Sequence, residues 1–236
     1  MLVAIPSKGR ARTCRSHLMI PEAVSYVPAR EAQEYKAAGV LNVVSVPDDV
    51  RGITATRNWI LDNTESDWVV FVDDDVKQAG FCHMMHHRMK HRKIANWIAE
   101  FRRLFEITED MQYRIWGVST DGAPRSVYPY KPFLWRSYIT ASCMGIRNST
   151  GIRFDEQFKV KEDYEMCLRC IVEDGGIVAA RYLYWVNSHW TDDGGCKDYR
   201  TSQVEIDAIK KLRAKYPGMV RQINRGGSQY SIELNL

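Results

Sequence analysis

The sequence predicts an α/β protein in which a mainly parallel sheet is covered by helices on both faces. Three observations carry this expectation. Short apolar runs alternate with stretches of helical periodicity, the pattern of a sheet buried on both sides. The 236 residues are 45% hydrophobic and 26% charged, ordinary for a soluble chain with one sizeable core. No apolar run approaches the ~18 residues of a membrane span, and the sequence contains no internal repeat or low-complexity tract.

The elements follow in order. Leu2-Val3-Ala4-Ile5, stopped by Pro6, reads as a first buried strand. Arg30 to Ala38 reads as a short helix ended by Gly39. Val43 to Val46, before Pro47, is a second strand, and Ile53, Ile60 and Leu61 share one face of a helix after Gly52. Trp68 to Val72 is the third strand. Cys82 to Lys93 is polar and basic. Ile94, Trp97, Ile98, Phe101, Leu104 and Phe105 then form a helical stripe. Trp116 to Thr120 and Tyr138 to Ile146 have strand composition, with a turn at Asp121-Gly122-Ala123-Pro124. Tyr164, Leu168, Ile171 and Val172 mark a helix from Glu162, and Ile177 to Val186 a further strand. Val204, Ala208, Ile209, Leu212 and Tyr216 mark a last long helix, stopped by Pro217-Gly218. The Gly- and Asn-rich tail ends in a short strand, Tyr230 to Leu234.

The formal net charge of +4 says little about partners. Met1 to Pro6 is too short for a signal peptide, so a cytosolic protein is expected. The six cysteines are scattered through a core-forming chain, which favours reduced thiols over a disulfide framework.

The most informative stretch is "FVDDDVKQAG", where Asp73, Asp74 and Asp75 follow the third apolar run. In open α/β sheets, ligands bind beyond the carboxyl ends of the strands. Three carboxylates this close repel and raise one another's pKa. A hard divalent cation removes that conflict, taking one or two carboxylates and completing its shell with phosphate oxygens and water. Side chains alternate along an extended chain, which puts Asp73 and Asp75 on one side and Asp74 on the other. Taken alone, the run also fits an exposed acidic turn capping the following helix. A phosphatase of the haloacid dehalogenase type fits less well, because it carries Asp-x-Asp after the first strand with a Thr where Lys77 stands.

Around these carboxylates the chain resembles the nucleotide-sugar glycosyltransferases of the GT-A fold. "VAIPSKGR", "GITATRN", "WVVFVDDDV", "KEDYEMCLRC" and "NSHW" occur in that family's order, with Thr56 where the family's helix has Ala. In short form they look most like the TET-associated glycosyltransferases of bacteriophages, which are thought to glycosylate hydroxymethylated pyrimidines in DNA. The resemblance implies one GT-A (Rossmann-like) catalytic domain over 1–236. Residues 1–80 would be its nucleotide-binding half, 81–200 its acceptor-side half, and 201–236 a C-terminal helix and tail.

It also implies roles. Pro6, Ser7, Arg10, Arg57, Asp73, Asp74 and Gly145 would bind the donor, a nucleoside-diphosphate sugar with uridine the common choice. Asp75, Asp73 and His189 would hold Mn²⁺ or Mg²⁺, which neutralises the leaving diphosphate. Asp163 would be the general base and Glu162 an acceptor-positioning group, implying inversion at the anomeric carbon. Acids at a helix start are also favoured by the helix dipole alone, by about 0.3–1 kcal/mol. Close packing explains Gly145 equally well.

"FCHMMHHRMKHRK" contains Arg88, Lys90, Arg92, Lys93 and four of the six histidines. It is read as a lip over an acceptor groove or as a solvated helix start. "YPYKPFLWRSY" adds Tyr130 and Trp135, which can stack bases or fill a core. With phosphates as the matching charge, DNA is the expected acceptor. "HWTDDGGCKDYR" is either a lid, with Lys197 or Arg200 on the donor phosphates, or a surface loop. Two other functions remain: transfer to a glycan or small molecule, and a non-catalytic nucleic-acid-binding module. The module gives no reason for Asp73, Asp75, Glu162 and Asp163.

Overall fold

The structure is a computed structural model, and it describes residues 1–86, 88–118, 131–187, 200–225 and 228–236. The first part of the chain gives β1 (Leu2–Pro6), α1 (Ser16–Met19), β2 (Val24–Pro28), α2 (Ala32–Ala37), β3 (Val43–Val46), α3 (Ile53–Asp62) and β4 (Trp68–Val72). Next come β5 (Val76–Met85), β6 (Arg88–Arg92), α4 (Trp97–Asp110), β7 (Ile115–Val118), β8 (Phe133–Leu134) and β9 (Cys143–Arg147). The last part gives α5 (Glu162–Asp174), β10 (Val178–Ala180), β11 (Leu183–Asn187), α6 (Ser202–Lys215), β12 (Val220–Arg225) and β13 (Ser228–Leu234).

Eight strands form one sheet in the order β3-β2-β1-β4-β9-β7-β10-β8. The first four are parallel, β9 runs antiparallel to both β4 and β7, and β10 is parallel to β7. The sheet is buried on both faces, as its continuous apolar runs require. Val3, Ile5, Val70 and Val72 pack on one side with Phe101, Leu104 and Phe105 of α4. Ala4, Val69 and Phe71 pack on the other with Ile60 and Leu61 of α3 and Met166, Cys167 and Cys170 of α5. The five described cysteines are free and buried. A third cluster joins α5 to α6 and to the β12–β13 hairpin through Leu168, Ile209, Leu212 and Ile232. Among the described residues no helix is long and apolar enough to cross a membrane.

Several sequence expectations need correction. Val24–Pro28 is a strand lying between β1 and β3, so Trp68–Val72 is the fourth strand rather than the third. Cys82 to Lys93 is no helix start. It belongs to an antiparallel hairpin, β5–β6, which joins β11 in a separate three-stranded sheet. The run Ile177 to Val186 splits between two sheets at Arg181-Tyr182. Tyr138 to Ser142 forms a loop ahead of β9. The tail strand has an unanticipated partner, β12. The turn expected at 121–124 lies outside the described residues.

Gly145 sits within β9, paired to Val70 and Trp116, and does not line the cleft described below. A Cβ there would lie 2.0 Å from Trp116 Nε1. The fully buried Trp116 ring is held by Phe101 and Phe105 at 5.5 Å and has nowhere to retreat. Gly145→Ala should therefore destabilise the fold by about 1–3 kcal/mol or more, as overpacking does. Urea denaturation checks this, and an unchanged midpoint would contradict it.

Candidate active site

The chain runs β1, β2, β3 outward on one side and returns to β4 on the other side of β1. Strand order thus reverses between β1 and β4, and a cleft forms at the carboxyl ends of such a pair. The cleft has a volume of about 910 Å³. Its first wall comes from the ends of β1–β3, with Pro6, Ser7, Tyr26, Pro28, Val46 and Asp48. Its floor is the acidic turn after β4. Its far wall is the 138–142 loop with the start of α5.

Asp74 and Asp75 lie in a turn rather than in extended chain and both approach Arg10, while Asp73 meets Arg57 and Asn187; all three line the cleft. Asp74 turns inward and is buried. It accepts hydrogen bonds from Ser7 Oγ and, at 2.7 Å, from Arg10 Nη1. Tyr35 braces this network, its hydroxyl lying 2.7 Å from Ser7 Oγ and accepting from Arg10 N. Burial pushes Asp74 up, and Arg10 and Ser7 oppose the shift. Its task is to anchor the turn.

Asp73 and Asp75 line the cleft. Asp73 accepts from Arg57 Nη2 at 3.4 Å and from Asn187 Nδ2 at 3.1 Å. Burial pushes its pKa up to about 7; Arg57 pulls down, while Asp75, Asp74 and Glu162 push up. Asp75 has Arg10 Nη1 3.5 Å from Oδ2, and its Oδ1 is buried without a hydrogen-bond partner. A buried carboxylate oxygen with no donor is unfavourable, so its chemistry fits a cation. No group of three His, Cys, Asp or Glu side chains gathers into a closed metal site among the described residues. An open shell of one or two carboxylates is what Mg²⁺ takes when phosphates complete it.

Arg57 ties the floor to the far wall. It projects from α3 and is 2% exposed. Nη1 donates to Glu162 Oε1 at 2.8 Å, and Nη2 also donates to Ala141 O at 3.3 Å. The guanidinium lies 5.8 Å from the Phe71 ring and 5.4 Å from the Phe154 ring. It pairs with two protein carboxylates and also lines the cleft. Removing it strands Glu162, while Asp73 is more exposed and keeps Asn187; breaking a buried pair this way costs about 3–5 kcal/mol. Arg57→Met should lower the melting temperature accordingly; a melting curve matching wild type would remove the clamp from the account.

Glu162 and Asp163 open α5 and both line the cleft. Burial and neighbouring Asp163 push Glu162 up, against Arg57. Asp163 Oδ1 accepts from Tyr164 N at 2.9 Å, and Oδ2 accepts from Tyr138 Oη at 2.5 Å. Tyr138 stacks on Tyr164 with ring centroids 4.1 Å apart. Burial and Asp163 raise the Tyr138 hydroxyl well above the usual range, so it stays a donor.

The cleft therefore gathers Pro6, Ser7, Arg10, Arg57, Asp73, Asp74, Asp75, Glu162 and Asp163. Arg88, Lys90, Arg92, Lys93 and Trp135 do not line it. The four cations lie along or just after β6, and Trp135 stacks beside β8 on Phe133 at 5.9 Å. Tyr130, His189 and Lys197 lie outside the described residues. Sequence reasoning missed Asn187, although it begins the quoted "NSHW" motif. It also missed Tyr138, which it had placed in a strand. Arg200 lines the cleft but pairs with Glu205 at 2.5 Å, as Lys161 does at 2.9 Å.

Such a sheet, with an acidic turn at its reversal point, is the GT-A fold of nucleotide-sugar glycosyltransferases. Solved structures that align with it include these two. Glucosyl-3-phosphoglycerate synthase from Mycobacterium tuberculosis, with Mn²⁺, UDP-glucose and phosphoglyceric acid, has TM-score 0.54 and 13% identity, covering 98% of this chain and 85% of that one. S. aureus TarS 1-349 with UDP-GlcNAc has TM-score 0.53 and 14% identity, covering 91% of this chain and 65% of that one. This chain thus spans about two-thirds of the TarS fragment. At such identities the likeness establishes the fold. No curated protein matches the sequence. Residues 1–195 match the TET-Associated Glycosyltransferase family, and the chain belongs to that family of glycosyltransferases.

Proposed function

We propose that the protein moves a sugar from a nucleoside-diphosphate sugar, UDP-linked by preference, to the hydroxymethyl group of a 5-hydroxymethylpyrimidine in phage DNA. It does so with Mg²⁺ or Mn²⁺ and with inversion. It would work in the cytoplasm, that of the host where the gene is phage-borne. The observation that carries the reading is Asp75 Oδ1, a buried carboxylate oxygen without a donor on the floor of the cleft.

Asp75, with Asp73, would hold the cation. The cation would neutralise the diphosphate as it departs. The chain's own residues supply the rest. Ser7, Arg10 and Asp74 fix the acidic turn. Asn187 and Arg57 fix Asp73. Asp163 takes the acceptor hydroxyl proton as that oxygen bonds the anomeric carbon and the carbon–phosphate-oxygen bond breaks. The nucleoside diphosphate leaves with the electron pair. Tyr138 and the Tyr164 amide hold the Asp163 carboxylate in place.

The test is incubation with Mn²⁺, a panel of nucleotide sugars, and DNA carrying cytosine or hydroxymethylcytosine, followed by mass spectrometry of the nucleosides. A hexose-sized mass gain on hydroxymethylcytosine alone is expected. Transfer to a glycan with none to DNA would reject the acceptor and keep the donor chemistry.

A further inference from the structure

The β5–β6 hairpin leaves the site described above and carries a field of unmatched positive charge. Between Asp75 and Glu100 the sequence has no acidic residue, but it has Lys77, Arg88, Lys90, Arg92, Lys93 and four histidines. Some exposed cations elsewhere meet carboxylates, as in Arg30–Asp48 and Lys215–Asp155. None of the five cations on or beside the ribbon forms an ion pair among the described residues, and all five are exposed.

Register puts these charges on one face. In β5–β6, Phe81 pairs with Arg92, His83 with Lys90 and Met85 with Arg88. Alternation gives those six residues a common face, while Cys82 and His91 take the other. Arg92 lies over the Phe81 ring at 5.2 Å, which fixes the inner end of the row. The three cations of β6 recur every second residue, about 7 Å apart. The other face is stapled down, with His91 stacked on Tyr184 at 4.3 Å.

The root of the ribbon is the cleft floor. Val76, the first residue of β5, follows Asp75 and pairs with Asn187, which donates to Asp73. From there β5 pairs first with β11 over Val76–Phe81 and then with β6 over Phe81–Met85, so the row of β6 cations spans about 14 Å beyond the cleft floor. A membrane-seeking tip would need a larger apolar face than Met85 alone provides.

We infer that this ribbon is a docking surface for the phosphate backbone of duplex DNA, holding the polymer beside the cleft while the chemistry occurs within it. The inference rests on the proposed DNA acceptor and deepens it: affinity for the polymer resides largely outside the catalytic cleft. Such contacts release counterions, at about 0.9 per phosphate neutralised.

The experiment compares wild type with Arg88→Gln/Lys90→Gln and with the triple variant that adds Arg92→Gln. Fluorescence anisotropy on a labelled duplex is read across a salt series, and transfer kinetics on hydroxymethylated duplex and on the free nucleoside. Stabilisation by Mn²⁺ plus donor is read by melting. The triple variant should raise KM for duplex at least tenfold and reduce the salt slope by about 3. Its kcat, free-nucleoside transfer and donor-induced stabilisation should match wild type. The double variant should show about two-thirds of the slope change and guards against a packing effect at Phe81. Unchanged KM and slope in both variants, with DNA still modified, would overturn the ribbon and spare the acceptor. Aggregation of the variants with normal DNA binding would mean that the charges only guard an edge strand. Wild type that is stabilised by donor yet binds no duplex would overturn ribbon and acceptor together. Charge-dependent binding to anionic vesicles but not duplex would also overturn it.

Discussion

Asp75→Asn should lower sugar transfer by roughly a thousandfold, about 4 kcal/mol of transition-state stabilisation, while the melting temperature holds or rises. The two effects separate because of how this carboxylate is held. Among the described residues Asp75 Oδ1 has no donor, and Oδ2 has Arg10 at 3.5 Å. The fold therefore gains little from its charge and is relieved of one repulsion with Asp73 and Asp74. Asp74→Asn makes the useful contrast. Asp74 is bonded to Ser7 and Arg10, so its loss should reduce stability as well as rate. Steady-state kinetics with parallel melting curves would show this. If Asp75→Asn retained near-normal turnover, the acidic floor would have no catalytic part.

Asp163→Asn should reduce transfer by about a hundred- to ten-thousandfold, the range for a lost general base. Donor binding should be retained, because the residue stands on the far wall from the acidic floor. The asparagine Oδ1 can still accept from Tyr164 N while its Nδ2 donates to Tyr138 Oη, so the start of α5 should keep its place. Glu162→Gln tests a different role. It weakens the link to Arg57 at 2.8 Å and so the coupling of α5 to α3. Its loss should show in stability and in KM more than in proton transfer. If Asp163→Asn transferred sugar at the wild-type rate while Glu162→Gln did not, the two roles would have to be exchanged.

The parts of this architecture legible from sequence were those written in continuous apolar runs or clean periodicity. Leu2–Ile5 and Trp68–Val72 are parallel strands buried on both faces, and α4 shows its stripe because one side meets the sheet. The acidic turn was legible because three carboxylates after such a strand are costly without a partner. How the three divide was not legible, because Asp74 and Asp75 sit in a turn where strand alternation does not apply. The β2 strand was hidden by buried Ser25 and by Pro28 at its end. The β5–β6 ribbon was hidden because much of it is exposed, so its polar residues resemble a loop. Gly145 was ambiguous because a glycine admits either a ligand or a neighbouring ring, and only the position of Trp116 decides.

Partners were the least legible feature. Nothing in "GITATRN" says that Arg57 pairs with Asp73 and Glu162, since those groups lie 16 and 105 residues away. Asn187 carries no charge and drew no notice, although it fixes Asp73. Tyr138 was assigned to a strand, yet it lies in the loop that meets Asp163. Each of these contacts arises from the return of the chain across the sheet.

The most direct measurement is calorimetric titration of UDP into wild-type protein and Asp75→Asn, each with and without Mn²⁺. If a cation joins the acidic floor to the donor phosphates, Mn²⁺ should tighten UDP binding to wild type at least tenfold and leave the variant nearly unchanged. Equal affinity for UDP with and without Mn²⁺ in the wild-type protein would contradict that claim.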